Sequence, residues 1–214
     1  ALAIYADGGS NITDMSGRIL TSGVRSSGIY TIGGGSEITM SGSIKTVGSS
    51  SNGIVTWVSF NNTEMSGSIE TEGDFANGIR NVGDKNETTV SGIIKTGNVI
   101  EGTGDSANGI HNQGSDNKTT FSGSITTTGH SANGIYNKGD NNEATVSGSI
   151  TTAGDSAYGI YNHLGASNET TVSGSITTDG GNAVGIRNVG DKNETTVSGS
   201  ITTAGDSAYG IYNH

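Results

Sequence analysis

The sequence of 214 residues contains no proline and no cysteine, and aromatic residues make up only 5% of it. The absence of proline excludes a collagen-like chain, and so does the spacing of the 37 glycines, which follow no three-residue period. Without cysteine the chain forms no disulfide bonds. Only three leucines occur, which excludes a globular core of the usual leucine-rich kind.

Long apolar runs and clustered positive charges are also missing. A transmembrane helix needs about 20 consecutive apolar residues, and no stretch approaches that length. We therefore expect no membrane insertion by this segment. The chain has 10 lysines and arginines against 20 acids, which gives a formal charge of −10. Because binding to phosphates needs clustered cations, we expect no nucleic-acid partner.

The sequence does contain a repeat. One Ser-Gly pair per block recurs at intervals of 25, 25, 25, 31, 25, 26 and 25 residues, from Ser16 to Ser198. A disordered chain would not hold its apolar positions to such a period, so the repeat indicates a solenoid. An isoleucine after glycine or alanine, which we call the marker isoleucine, recurs in step with the pair: Ile4, Ile29, Ile54, Ile79, Ile110, Ile135, Ile160, Ile186 and Ile211.

One unit, residues 142–165, shows what each repeat builds. Apolar and polar residues alternate over 143–152, which predicts a half-buried strand. Glycine and aspartate at 153–156 indicate a turn. Residues 157–162 then predict a second strand that contains the marker isoleucine. No segment has the 3.6-residue period of a helix.

A repeat of this length with short strands and polar corners predicts a parallel β-helix. We expect an all-β fold with about eight coils of about 25 residues, forming one repeat region over residues 1–214. No single coil can bury its own apolar face, so equivalent residues should stack in inward columns. The predicted columns are Met15, Met40, Met65, Val90, Phe121, Val146, Val172 and Val197, and Ile19, Ile44, Ile69, Ile94, Ile125, Ile150, Ile176 and Ile201.

A polar column follows two residues after the marker isoleucines. Side-chain amides stacked at coil spacing can hydrogen-bond along the axis, so we interpret the column as a structural asparagine ladder. A row that binds a ligand is the alternative. The column contains Asn81, Asn112, Asn137, Asn162, Asn188 and Asn213.

Two irregular regions interrupt the repeat. A six-residue excess falls within 96–104, and insertions in solenoids map to corners, so a loop should protrude there. The third coil carries Trp57 and Phe60 where other coils have a polar turn. These aromatic residues are either a contact site or local packing across a corner.

Catalysis and metal binding find little support in the sequence. The acids fall mostly in corners and recur from coil to coil, as turn-forming residues do, instead of converging on one strand face. The four histidines show no ligand spacing. We therefore expect no enzyme, no cofactor and no metal site. Six Asn-Xaa-Thr sequons occupy equivalent corners, and turn chemistry explains them better than glycosylation does.

Outward hydroxyl groups offer a rival surface. We expect the serine and threonine residues of the last four coils to form a flat array that could order ice-like water or bind sugar hydroxyls. Lys45, Glu70, Ile93 and Lys95 occupy the same columns in earlier coils. The expected array consists of Thr120, Ser122, Ser124, Thr126, Thr145, Ser147, Ser149, Thr151, Thr171, Ser173, Ser175, Thr177, Thr196, Ser198, Ser200 and Thr202.

Units such as SGSITTTGHSANGIYN at 122–137 and SGSITTAGDSAYGIYN at 147–162 resemble the repetitive passenger regions of bacterial autotransporters, the type V secretion adhesins. The resemblance covers essentially the whole chain. It implies a right-handed parallel β-helix, displayed on the surface of a Gram-negative cell, that serves adhesion or aggregation. It also implies that the chain is a fragment of a longer array.

These observations give a function hypothesis of a non-enzymatic, extracellular stalk or adhesin segment. The ice-binding or carbohydrate-binding solenoid is the alternative. Expected partners are a host-cell or bacterial-surface receptor or glycan, and other rods through self-association. The residues expected to form the contact surface, most of them directly after a marker isoleucine and facing solvent, are Trp57, Phe60, Arg80, His111, Tyr136, Tyr161, Arg187 and Tyr212.

Overall fold

The chain is a β-solenoid built from three parallel sheets. The computed structural model describes residues 2–97 and 104–214, which form 25 short strands and contain no helix. Each strand pairs in parallel with the equivalent strands of the coils before and after it. The predicted all-β solenoid of about eight coils, spaced by about 25 residues, is confirmed. No helix long and apolar enough to cross a membrane occurs in the described residues.

Each coil contributes one strand to each sheet. Sheet A carries the marker isoleucines and consists of β1 (Ile4–Asp7), β4 (Ile29–Ile32), β7 (Ile54–Trp57), β10 (Ile79–Val82), β13 (Ile110–Gln113), β16 (Ile135–Lys138), β19 (Tyr158–His163), β22 (Val184–Asn188) and β25 (Tyr209–Asn213). Sheet B consists of β2 (Ile12–Met15), β5 (Glu37–Met40), β8 (Asn62–Met65), β11 (Glu87–Val90), β14 (Lys118–Phe121), β17 (Glu143–Val146), β20 (Glu169–Val172) and β23 (Glu194–Val197). Sheet C consists of β3 (Arg18–Thr21), β6 (Ser43–Thr46), β9 (Ser68–Thr71), β12 (Ile93–Thr96), β15 (Ser124–Thr127), β18 (Ser149–Thr152), β21 (Ser175–Thr178) and β24 (Ser200–Thr203).

The continuous strand predicted over 143–152 is wrong, because the chain bends at Ser147-Gly148 and passes from sheet B to sheet C. The bend brings the backbones of adjacent coils close together. A Cβ atom on Gly148 would lie 2.2 Å from the carbonyl oxygen of Gly123 in the preceding coil. Glycine therefore recurs at this corner because no side chain fits between the stacked backbones.

The interior is filled by the predicted apolar columns. The described isoleucine, valine, methionine and phenylalanine side chains of these columns form one continuous cluster along the axis. Phe121 is the largest fully buried side chain. Burying a phenylalanine, isoleucine, valine or methionine side chain completely stabilises the fold by about 1.5–3 kcal/mol. Stacking therefore supplies apolar burial that a single coil lacks.

The glycine that precedes every marker isoleucine except Ile4 also has a steric cause. A Cβ atom at Gly134 would lie 2.3 Å from Cγ2 of Ile150 and 2.6 Å from the carbonyl oxygen of Gly159. The isoleucine of sheet C thus packs directly against the sheet A backbone. This contact explains why the pair Gly-Ile is the most regular signal in the sequence.

The asparagine column after the marker isoleucines is a structural ladder, as predicted. Each Nδ2 donates to Oδ1 of the next coil at 2.7–2.9 Å, for example from Asn137 to Asn162. Threonine hydroxyls of sheet B accept a second hydrogen bond in most coils, as Thr119 does from Asn112. The buried amides therefore satisfy one another along the axis.

Two further asparagine ladders were not predicted. In one, Asn77 donates from both its backbone N and its Nδ2 to Oδ1 of Asn52, at 2.9 Å each, and the pattern continues through Asn108 and Asn133. The other runs through the sequon corner, where the backbone N of Asn86 donates to Oδ1 of Asn117. In sequence these asparagines precede Gly-Ile or stand in a polar turn, and they are easily read as turn formers.

The sequon asparagines are mostly inaccessible in the folded chain. Asn61, Asn86, Asn117 and Asn168 are each at most 2% exposed. Their amides are the ladder groups of the corner before sheet B. At these four positions the asparagines thus have a structural role, although as rungs of a ladder and not only as the turn formers expected from the sequence.

The structure describes only one of the two irregular regions in full. Most of the loop expected within 96–104 lies outside the described residues. Trp57 and Phe60, in contrast, are both described. They lie on either side of a corner where Val58 and Phe60 have positive φ angles of 82° and 65°.

We predict that Asn137→Asp destabilises the fold by about 3 kcal/mol at pH 7. The new carboxylate would be fully buried and would face Oδ1 of Asn162 without a hydrogen to donate. Burial should raise the pKa of this carboxyl group, so the deficit should shrink as the pH falls through that raised value towards the unfolded value.

Urea unfolding at pH 7 and pH 4 tests this prediction. Asn141→Asp is the matched control, because Asn141 lies in the same coil at an exposed corner. The control should change the free energy of unfolding by no more than about 0.5 kcal/mol. Equal losses for the two variants at pH 7 would contradict the ladder.

Candidate functional site

The residues that follow the marker isoleucines form one row on the outer face of sheet A. Parallel pairing places Tyr136 between His111 and Tyr161, and Tyr161 next to Arg187. Six of the eight predicted contact residues lie in this row. We call it the axial stripe, and its members are Tyr5, Tyr30, Val55, Arg80, His111, Tyr136, Tyr161, Arg187 and Tyr212.

The second half of the stripe is a packed stack of rings. The ring centroids of His111 and Tyr136 are 4.7 Å apart, and those of Tyr136 and Tyr161 are 5.3 Å apart. The guanidinium carbon of Arg187 lies 5.1 Å from the ring centroid of Tyr161 and 5.1 Å from that of Tyr158. The hydroxyl of Tyr158 accepts a hydrogen bond from Arg187 at 2.7 Å.

The expectation that these residues simply face solvent therefore needs correction. Tyr136 and Tyr161 are half-buried, and burial raises the pKa of both hydroxyls. Adjacent coils are only about 4.8 Å apart, so large side chains in one column cover each other's faces. Tyr212, in the last coil, is exposed. The stripe is outward-facing but preordered by its own packing.

The first half of the stripe is less continuous. Tyr5 and Tyr30 stack with centroids 6.0 Å apart, and then Val55 replaces the aromatic ring. Trp57 lies two positions along the same strand and packs against Arg80, whose guanidinium carbon is 5.5 Å from a ring centroid of Trp57. Trp57 therefore lies beside the axial stripe, in contact with Arg80, and is not a member of it.

Phe60 does not belong to this surface. It lies beyond the corner after sheet A, is 63% exposed, and packs against Lys85, whose Nζ is 5.4 Å from its ring centroid. Trp57 and Phe60 make no ring contact in the part of the chain that the structure describes. The single aromatic cluster expected from the sequence is thus divided by the left-handed backbone between the two residues.

The arginines of the stripe have no acidic partner among the described residues. Arg80 donates to Oε1 of Gln113 at 3.0 Å, and Arg187 donates to Tyr158. The ion pairs of lysines lie on the other two sheets, where Lys45 contacts Glu70 at 3.1 Å and Lys118 contacts Glu143 at 3.3 Å. Burial lowers the pKa of Arg80 from its usual value, which indicates a partly desolvated cation.

His111 is held in its neutral form. Burial lowers its pKa to about 3, and the charges of Arg80 and Lys138 act in the same direction. Its Nε2 atom is buried without a hydrogen-bond partner among the described residues. The imidazole therefore serves as a neutral ring in the stack instead of as an exposed cation.

Two grooves run beside the stripe, between it and the corner that precedes each sheet A strand. The first, which we call the Trp57 groove, has a volume of about 530 Å³ and is lined by Arg25, Tyr30, Val55, Trp57 and Arg80 among others. Volumes of 300–1,000 Å³ are typical of small-molecule sites. Arg25 was not predicted as a contact residue. It stands four residues before the marker isoleucine Ile29, a position that carries serine in most other coils.

The second groove has a volume of about 290 Å³ and lies along the later coils. It is lined by Asn108, Asn133, Tyr136, Tyr158 and Arg187, among others. Tyr158 was also not predicted from the sequence. It replaces an asparagine in the ladder that runs through Asn108 and Asn133, two residues before the marker isoleucines.

The corner acids have structural roles. Oδ1 of Asp84 accepts a hydrogen bond from the backbone N of Ser115 at 2.8 Å, and Oδ1 of Asp140 accepts one from Ala166 at 2.8 Å. These bonds connect adjacent coils. Within residues 2–97 and 104–214 no group of three or more metal-ligating side chains is present.

We predict that His111 makes the rod sensitive to acid. The unfolded chain binds a proton at His111 near pH 6.5 and the folded chain only near pH 3. Between these values the free energy of unfolding should fall by about 1.4 kcal/mol per pH unit because of this residue alone. The favourable contribution of His111 to the free energy of unfolding is complete above pH 6.5 and is lost progressively towards pH 3.

Urea unfolding of the wild type and of His111→Phe at pH 7 and pH 5 measures this effect. Phenylalanine keeps the ring stack and removes the titration. The wild type should lose about 2 kcal/mol more than the variant between the two pH values. Identical losses in both proteins would show that His111 is freely protonated in the folded chain.

Comparisons of the chain with protein families, curated proteins and solved structures found no match. The function proposed below therefore rests on the sequence, on the resemblance of its repeats to autotransporter passengers, and on the geometry of the axial stripe.

Proposed function

We propose that the chain is a non-enzymatic, extracellular rod that acts as a stalk and adheres through its axial stripe. The observation that carries the proposal is the alignment of aromatic and guanidinium side chains on one outer face in strict register. Tyrosine, tryptophan and arginine are the residue types that contribute most to binding at protein surfaces.

The shape of the rod suits a spacer. Sheet A contains nine strands, and the eight spacings between them, at about 4.8 Å each, give a length of about 38 Å. Because each coil contacts only its neighbours, the length increases with the number of repeats without any change in the cross-section. A repeated rod can therefore set the distance between its two ends.

The packing of the stripe favours binding. Tyr136 and Tyr161 are fixed by ring contacts on both sides before any partner arrives. Ordering a free side chain at an interface costs about 0.5–1.5 kcal/mol, and a preordered row avoids much of that cost. Once one contact has formed, the remaining contacts of the same rod form at a high effective concentration. Several weak contacts would therefore bind more tightly together than any one of them alone.

The compartment is part of the proposal. The repeats resemble autotransporter passengers, which implies the surface of a Gram-negative cell and a role in adhesion, aggregation or virulence. The expected partner is a receptor or glycan on a host cell or on another bacterium, with self-association of rods as a further mode. We expect no catalytic activity, since the corner acids hold backbone N–H groups of adjacent coils.

Adhesion of rod-coated beads to epithelial cells and to one another tests the proposal. Tyr136→Thr combined with Tyr161→Thr removes two rings from the stripe and retains β-branched residues suited to a strand. Loss of two contact residues at about 1 kcal/mol each should reduce binding by more than about 10-fold.

The matched control is Thr126→Ala combined with Thr151→Ala on sheet C, which leaves the stripe intact. Circular dichroism confirms that each variant is folded at the assay temperature. Equal adhesion by the stripe variant and the control variant would exclude the stripe as the contact surface.

The hydroxyl face is a second candidate, favoured by one specific observation. Thr126, Thr151, Thr177 and Thr202 lie in register on sheet C, beside an equally regular serine row. The observed array is narrower than the one expected from the sequence, because Thr120 and Thr145 belong to sheet B, across the Ser-Gly bend. Lys45 and Glu70 form an ion pair in the same columns in earlier coils.

An ice-binding or carbohydrate-binding function of this face predicts that Ser149→Lys combined with Thr151→Lys abolishes thermal hysteresis or sugar binding. The stripe variant should leave that activity unchanged. Absence of thermal hysteresis in the wild type, together with sugar binding unaffected by the lysine variant, would exclude the hydroxyl face.

A further inference from the structure

The Trp57 groove differs from the rest of the surface in its charge. The chain carries a formal charge of −10, yet Arg25 and Arg80 both line this groove and no acidic residue does. Neither arginine forms an ion pair in the described residues. The groove is thus a local cationic site on an acidic rod.

Arg80 is held in place with most of its donors unused. Trp57 covers one face of its guanidinium group, and Gln113 accepts one hydrogen bond. No carboxylate among the described residues offsets its charge. A guanidinium group presents a planar fork of donors that matches a carboxylate in a bidentate geometry, so a carboxylate ligand would supply what this residue lacks.

The remaining walls of the groove suit a sugar ring. The hydroxyls of Ser27 and Ser50 and the amide of Asn52 provide polar groups, while Tyr30 and Trp57 provide aromatic surface. A saccharide presents hydroxyl groups at its rim and C–H groups on its ring faces, which can meet both kinds of wall. Sites of this kind combine an apolar surface with a few placed polar groups.

A small residue forms the floor of the groove. Val55 stands where most coils carry a large side chain, between Tyr30 and Arg80. Its side chain is only 1% exposed, so the surrounding side chains already cover it. A ligand in the groove would therefore meet Tyr30, Trp57 and the two arginines above the valine.

We infer that the Trp57 groove binds an acidic saccharide, with the carboxylate of one sugar held by Arg25 and Arg80 and its ring placed against the aromatic wall that Tyr30 and Trp57 provide. This inference deepens the proposed adhesive function and rests on it, since it names the ligand class for the first half of the stripe.

Isothermal titration calorimetry with a hyaluronan hexasaccharide, which carries glucuronic acid, tests the inference. The same hexasaccharide with its carboxyl groups reduced to alcohols is the matched ligand control. We expect binding of the acidic form, at least about 10-fold weaker binding of the reduced form, and weaker binding of the acidic form as the salt concentration rises. Equal affinity for the two ligands, or no binding of either, would overturn the inference.

Three variants locate the site. Arg80→Gln should weaken binding of the acidic hexasaccharide by about 10-fold or more. Arg18→Gln makes the same charge change on the exposed face of sheet C and should leave the affinity unchanged. Equal loss from both substitutions would indicate a non-specific charge effect and contradict the site.

Trp57→Val removes the aromatic wall of the groove without removing either arginine. It introduces the residue that the next coil carries at the equivalent position, Val82, so the fold should persist, as circular dichroism would show, while binding is weakened. Unchanged binding in this variant would contradict the groove. If the hexasaccharide fails to bind while rod-coated beads still adhere through Tyr136 and Tyr161, the inference fails and the proposed function stands.

Discussion

The parallel stacking of one coil on the next is the interaction on which the rest of the structure depends. A single coil has three short strands and no means of burying its own apolar side chains. Stacking supplies the backbone hydrogen bonds of all three sheets and places each inward isoleucine between two others. Because every coil repeats the same contacts, stability arises from nearest-neighbour interfaces. The same short spacing brings polar side chains within hydrogen-bond distance of their own equivalents.

That spacing explains both the interior and the surface. Buried asparagines are tolerated because each amide finds its partner one coil away, as in the pair Asn137 and Asn162. On the outer face the same distance forces tyrosine rings to stack, so that the proposed contact surface is also part of the packing. Where Arg25, Trp57 and Arg80 replace the residues usual at their positions, they line a groove with two cations. Functional features of the rod thus arise as local departures from its repeat.

The sequence predicts those parts of the fold that follow from the period. The inward columns and the ladder after the marker isoleucines could be placed because they depend only on repetition and on alternation along a strand. The bend at Ser147-Gly148 could not, since alternation continues across it and its cause is the carbonyl group of Gly123 in another coil. The contact of Trp57 with Arg80, instead of with Phe60, could not be predicted either. It depends on the backbone conformation of the corner.

The distance between equivalent outward positions in distant coils tests the account most directly. The chain has no cysteine, so Ser43→Cys combined with Ser200→Cys allows spin labels to be placed at two sites only. These residues lie in one column of sheet C, six strand spacings apart. Pulsed electron paramagnetic resonance should give one narrow distribution near 29 Å, from about 4.8 Å per spacing. A broad distribution, or a mean far from this distance, would contradict a rod of coils stacked in register.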